Sequence, residues 1–183
     1  MQTYEKPFDL GVIVGRFQVL HKGHGDIIRK ALQLCKETAI FVGSSQESGT
    51  LKNPFSYEIR KELLLTAFPE LSVYPLPDIG VGNTYAWGDY VLQNICEHCG
   101  RYPELFVSGR ESRRTSWIDE SWNIGELFIP KTIDISATKM IRFVIEDDQK
   151  SWETYIEPAL TDRYFLFREN ILASKDNLET KSI

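Results

Sequence analysis

Two of the chain's three histidines, His21 and His24, stand three residues apart in the stretch GRFQVLHKGHGDII, which runs from Gly15 to Ile28. An apolar run precedes the stretch, and apolar residues at helical spacing follow it, so the pair falls where a helix begins. Gly15 allows close approach of a ligand to the backbone, and Arg16 offers a permanently charged fork for phosphate oxygens. At a helix start, backbone N–H groups and the positive end of the dipole add to that field and predict a lowered pKa for both imidazoles. Neutral imidazoles in that position can still donate to an anion, and Gly23 between them leaves room for a phosphate chain. Alone, such a pair is more often surface residues or a partial metal site. The buried strand, glycine and arginine ahead of it favour phosphate.

The elements that must position these groups alternate along the chain. LGVIVG (Leu10 to Gly15) reads as a buried strand, and Ile27, Ile28, Ala31, Leu32 and Cys35 recur at helical spacing after it. AIFVG is a second buried strand, and an amphipathic helix from Phe55 to Phe68 ends before Pro69. LSVYPL is a third strand, followed by a helix from Tyr85 to Cys99, and LFVSG is a fourth. ELFIP and KTIDI supply one or two more before a helix from Ala137 to Glu146. A last helix starts near Pro158 and runs through Tyr164, Phe167 and Ile171. Residues 1–173 then form a single domain, and 174–183 a polar, frayed tail. Continuous apolar strands separated by helices predict an α/β fold, a Rossmann-like parallel sheet with helices on both faces. Ligands in such sheets sit beyond the carboxyl ends of the strands, so the loops after each strand carry the information.

Bulk properties narrow the chemistry. The chain has 183 residues, 42% of them hydrophobic, and carries a formal net charge of -5 with an estimated pI of 5.3. That balance disfavours general nucleic-acid binding and leaves phosphate recognition to a local site. No apolar stretch approaches the roughly 20 residues of a membrane span, and the polar start MQTYEKPFD lacks a secretory apolar core, which predicts a cytoplasmic protein without a membrane partner. Three cysteines are too few for a disulfide framework. CEHC, with Cys96, His98 and Cys99, has redox spacing, but no second pair completes a metal set, and Gly100 reads as a helix stop.

GRFQVLHKGH resembles the GxFxPxHxGH signature of the nucleotidyltransferase superfamily, and its GRFQ resembles nicotinamide-mononucleotide adenylyltransferases of archaeal type and their bacterial relatives. Val19 departs from the usual proline. DISATKMIR resembles the ISSTxxR motif of the same superfamily, in which hydroxyls and a helix N-terminus meet the triphosphate and an arginine clamps its far end. Ser136 and Thr138 match, while Ile141 holds the arginine position and Arg142 follows one residue late, rotated by about 100° around a helix. Arg142, Lys139 or another cation must then do that work. Read without the resemblance, Ser136 is a plain N-cap.

Further segments extend the likeness across Gly11 to Leu160. GSSQESGTLKNPFSYEIRKELL is similar to the archaeal-type GSAQ, NPFT and ER segment, which implies Lys52 at the triphosphate and matches Arg60 to the arginine of the ER pair. PDIGVGNTYAW is similar to the segment whose asparagine and tryptophan recognise nicotinamide, and places Asp78, Asn83 and Trp87 in those roles. SGRESRRTSW, from Ser108 to Trp117, resembles the loop after the fourth strand in bacterial relatives and carries Arg110, Arg113 and Arg114.

The resemblance implies a nucleotidyltransferase of the α/β phosphodiesterase type that joins AMP from ATP to nicotinamide mononucleotide, giving NAD and pyrophosphate with Mg2+ carried on the phosphates. The implied catalytic residues are His21, His24, Arg16 and Lys52. Gly15, Phe17, Gln18, Ser108, Gly109, Ser136, Thr138 and Arg142 would join them in holding ATP. Asp78, Asn83, Trp87 and Arg110 would hold the acceptor, and no residue is expected to bind metal directly. Other acceptors remain open, namely nicotinate mononucleotide, flavin mononucleotide or pantetheine phosphate, as does a nucleotide-binding sensor without catalysis. The expected partners are small nucleotides rather than nucleic acid, with a homo-oligomer implied only by analogy. A fused pyrophosphohydrolase domain, present in some bacterial relatives, is not expected in a chain of this length.

Overall fold

A computed structural model of the chain describes residues 5–109 and 117–179. Five strands form one parallel sheet: β1 (Phe8–Gly15), β2 (Cys35–Gly43), β3 (Ser72–Leu76), β4 (Leu105–Ser108) and β5 (Gly125–Phe128). Their spatial order is β3-β2-β1-β4-β5. The chain moves outward from β1 through β2 to β3, then returns to the other side of β1 to lay down β4 and β5. The reversal leaves a crevice beyond the carboxyl ends of β1 and β4, where open α/β sheets bind ligands.

Period-two alternation divides the core between the two faces. Leu10, Val12 and Val14 of β1, with Ala39 and Phe41 of β2, pack on one side with Val91, Leu92 and Ile95 of α3 (Tyr85–Cys99). Ile13, Ile40 and Val42 turn to the other side. There they meet α1 (Lys22–Leu34), α2 (Tyr57–Ala67), α4 (Ala137–Ile145), α5 (Gln149–Tyr155) and α6 (Tyr164–Glu179). Helices cover both faces, as expected, but unequally: on the α3 side, Trp117 and Ile118 complete the cover.

Local signals account for most boundaries. Ser56 caps α2 by accepting from the Ile59 N–H, and Thr84 caps α3 through the Trp87 N–H. Gly100 ends α3 in the left-handed region at φ +70°, a conformation glycine adopts without steric cost. Cys96 and Cys99 therefore lie in the last turns of α3 as free thiols. Burial pushes the Cys99 thiol up to about 11, away from the thiolate that redox exchange needs.

Three expectations need correction. Cys35 does not continue α1; it turns to extended geometry at φ -114° and opens β2 directly, without a loop. Of the one or two strands expected from ELFIP and KTIDI, only β5 forms, because Pro130 offers no donor to a ladder and the Ile135 N–H instead donates to Ile133 O. The last helix does not fray at Ala173. Pro158–Arg163 is a 3-10 segment, and α6 continues to Glu179, with Ser174 only 2% exposed.

Candidate active site

Residues 15–24 run from the end of β1 into the first turn of α1, and two hydrogen bonds there orient the two histidine rings. His21 is the N-cap of α1: its Nδ1 accepts from the His24 backbone N–H at 3.3 Å. The neutral ring therefore carries its proton on Nε2. His24 has the opposite tautomer, since its Nδ1 lies 3.1 Å from Val19 O, a carbonyl that can only accept. The two rings stack with centroids 3.9 Å apart, and Phe17 lies tilted against His24 at 5.0 Å. Phe17 reaches that place through a left-handed backbone at φ +49°, a strained conformation for a bulky residue. Val19 is fully buried and supplies the carbonyl that orients His24, so its replacement of proline leaves the turn well defined.

The pKa of His21 is pushed down to about 4, first by burial and then by the nearby Lys131 charge. The expected direction holds, while burial rather than the helix dipole is its leading cause. The neutral-donor expectation holds for only one ring. Neutral His21 can donate through Nε2–H, whereas neutral His24 already commits its proton to Val19.

Gln18 and Arg60 hold the turn from beneath. Gln18 is 3% exposed; its Nε2 donates to Asn53 Oδ1 at 3.2 Å, and its Oε1 accepts from the Phe55 N–H at 3.0 Å. Both ends of the amide are thereby used to fasten the 50–55 loop, which carries Lys52, to the end of β1. Arg60 is fully buried and donates to the carbonyls of Arg16, Gly43, Ser44 and Ser56. It is neither a solvated charge nor a phosphate ligand but a clamp joining the loops after β1 and β2. Burial lowers its pKa to about 10, which leaves it charged at neutral pH.

A cleft of about 700 Å³ opens over this turn, and every residue expected to meet ATP lines it: Gly15, Arg16, Phe17, Gln18, His21, His24, Lys52, Ser108, Gly109, Ser136, Thr138 and Arg142. Ser136 is the N-cap of α4, accepting from the Lys139 N–H at 3.3 Å, so the helix N-terminus opens onto the histidines. Ile141 stands in the wall at 9% exposure. Arg142 lies at the rim, its side chain 62% exposed and its Nε 3.7 Å from Glu146 Oε1. Lys139 is drawn aside by Asp134 at 2.6 Å. Lys131, which no motif marks, also lines the cleft.

A second hollow, of about 150 Å³, lies on the other side of Arg16 and is lined by Asp78, Asn83 and Trp87. It shares Val14, Gly15 and Arg16 with the larger cleft. Trp87 is half-buried, and Trp117 forms the floor beside it. Gly88 permits that approach, because a Cβ there would stand 1.9 Å from Trp117 O. Trp117 and Ser44 were not singled out by sequence, since nothing in the local pattern separates them from core or turn residues. Arg110, Arg113 and Arg114 lie outside the described residues.

A cytidylyltransferase-like family profile matches residues 12–143. The chain belongs to the cytidylyltransferase-like family. Its fold and its membership among nucleotidyltransferases are thus as the sequence motifs implied. A nicotinamide-nucleotide adenylyltransferase from Pyrococcus furiosus is 29% identical over 180 residues, covering 93% of this chain and 91% of that protein. A nicotinamide/nicotinic acid mononucleotide adenylyltransferase from Acinetobacter baylyi is 36% identical over 91 residues, 48% of each chain. Among solved structures, a bifunctional NMN adenylyltransferase/ADP ribose pyrophosphatase from Francisella tularensis superposes with a TM-score of 0.67 at 25% identity. The superposition covers 76% of this chain and 43% of that one. The same protein complexed with AMP and a manganese ion superposes at 0.64. No helix among the described residues is long and apolar enough to cross a membrane.

Proposed function

We propose that this chain is a nicotinamide-mononucleotide adenylyltransferase, which joins the phosphate of the mononucleotide to the AMP portion of ATP and releases pyrophosphate. One observation carries the reading: the two hollows, one lined by the expected ATP groups and the other by the expected acceptor groups, share Gly15 and Arg16. A phosphate lying over those residues is within reach of both ligands. The names of the Pyrococcus and Francisella relatives support the same acceptor.

The chemistry is in-line displacement. An acceptor phosphate oxygen forms a bond to the α-phosphorus, the bond from that phosphorus to the bridging oxygen breaks, and pyrophosphate leaves with the electron pair. A phosphate monoester has a second pKa near 6, so at neutral pH it is a nucleophile without a general base. The protein's task is alignment and charge stabilisation. Neutral His21 donates through Nε2–H, and His24, its ring held by Val19 O, lines the same cleft beside it. Arg16 spans the two hollows, and Lys52 approaches the phosphate chain from the 50–55 loop. Asn83 can pair with a carboxamide as donor and acceptor, and Trp87 offers a ring face.

Magnesium would be bound as the counter-ion of ATP and would offset its phosphate charge. Among the described residues no group of three His, Cys, Asp or Glu side chains is placed to hold a metal by itself, which suits a metal carried mainly by phosphate oxygens and water. The enzyme would act in the cytoplasm on small nucleotides.

The Acinetobacter relative's name includes nicotinic acid mononucleotide, which makes that acceptor the second reading. Arg16 is the sole cation lining the smaller hollow among the described residues, and Asn83 suits an amide better than a carboxylate. The deciding experiment supplies magnesium and ATP with nicotinamide mononucleotide, nicotinate mononucleotide, flavin mononucleotide or phosphopantetheine and follows pyrophosphate release. Fastest release with nicotinamide mononucleotide is expected. Nucleotide binding without release for any acceptor would establish a sensor instead.

A further inference from the structure

Position 141, where the phosphate-clamping motif calls for arginine, holds a buried isoleucine in the cleft wall. The nearby cations on α4 are directed elsewhere. Arg142 is mostly exposed with Glu146 as its neighbour, and Lys139 is paired with Asp134. A triphosphate in this cleft would lack the charge that the motif normally places there.

Lys131 enters the same cleft from the loop between β5 and α4. Its Nζ lies 3.5 Å from Ile135 O, one residue before the Ser136 cap, so the ammonium stands beside the N-terminus of α4. Among the described residues no carboxylate stands within ion-pair distance of it, in contrast to Lys139. Its charge also acts on His21, which places both groups at one end of the cleft. A flexible stem lets a lysine ammonium move a few ångströms to meet a ligand.

We propose that Lys131 is the triphosphate-binding cation of this chain, contacting the β- and γ-phosphates in place of the arginine absent at position 141. The proposal rests on the reading of the larger cleft as the ATP site. It accounts for a departure from the motif that would otherwise leave the pyrophosphate leaving group short of one positive charge.

The test compares equilibrium binding of magnesium ATP and of AMP to wild type, Lys131→Met, Lys131→Arg and Arg142→Met, with circular dichroism melting to confirm folding. Loss of one charge-assisted phosphate contact weakens binding by about tenfold. Lys131→Met is expected to lose that factor for ATP while AMP affinity changes less than about twofold, and Lys131→Arg to restore most of it. An unchanged ATP to AMP ratio in Lys131→Met, or a loss found in Arg142→Met instead, overturns the role of Lys131 alone. Wild type that binds AMP and ATP equally also overturns it. Wild type that binds neither nucleotide overturns the assignment of the cleft, and the proposal with it.

Discussion

His21 and His24 are neighbours with different chemistry, because each Nδ1 has a different partner. A backbone N–H fixes one as an acceptor, and a backbone carbonyl fixes the other as a donor. In the proposed mechanism His24 stabilises the transferring phosphate, and His24→Ala is expected to lower kcat by about 10²–10³-fold with little change in melting temperature. Steady-state pyrophosphate release beside a thermal melt checks both halves. His21 makes a pH prediction. Its folded pKa of about 4 lies below the ordinary value of 6.5, so between those limits the unfolded chain binds a proton that the folded chain does not. Its contribution is therefore complete above pH 6.5 and is lost as pH falls toward 4. Wild type should lose about 2 kcal/mol more than His21→Asn between pH 7 and 4.5, measured by urea unfolding. Asparagine preserves the cap without the titration.

Elements bring these residues together through buried polar fastenings. Arg60 joins the loops after β1 and β2 through four carbonyls, and Arg29 joins α1 to Glu157, 4% exposed, with Nη1 to Oε1 at 2.7 Å. The Glu157 N–H also donates to Leu20 O, which sets the C-terminal helices against the histidine turn. Arg60→Met keeps much of the volume but removes the guanidinium from four carbonyls, of which only Ser44 O and Ser56 O have a further backbone donor outside the strands, from the Glu47 and Arg60 N–H groups. A destabilisation of about 3 kcal/mol is expected from urea unfolding. Because Arg16 and Ser44 border the smaller hollow, the KM for the mononucleotide should rise as well.

At the scale of the molecule, the C-terminal helix is part of the domain. Ser174 is buried against Asn170, and Asn177 Nδ2 donates to Gly49 O at 3.4 Å, next to the loop that carries Lys52. Truncation after Ala173 is expected to cost about 1 kcal/mol and to lower the melting temperature by about 2–4 °C. The KM for ATP should rise a few-fold, with that of the acceptor unchanged. Melting curves with and without saturating ATP, followed by kinetics with each substrate varied, check this.

The strand order, the cap at Ser136 and the stop at Gly100 were legible in the sequence because each depends on local pattern, whereas the cap at Ser56 and the short helix α5 were not marked. The two cleft-lining motifs were legible for a different reason. HKGH holds two of the chain's three histidines, and SAT was singled out through its resemblance to a superfamily motif. Arg60, Lys131 and Trp117 were not, since a solvated arginine, a loop lysine and a core tryptophan have the same local signature. Only packing distinguished them: carbonyls from two crossover loops closed around one guanidinium, an isoleucine in the cleft wall left a lysine from another loop as the nearby cation, and Gly88 let α3 approach a tryptophan backbone. Periodicity and capping are local, and so the sequence determined them by itself. Charge position and burial depend on residues distant along the chain, which meet only when the sheet reverses its order at β1, and these the tertiary structure decided.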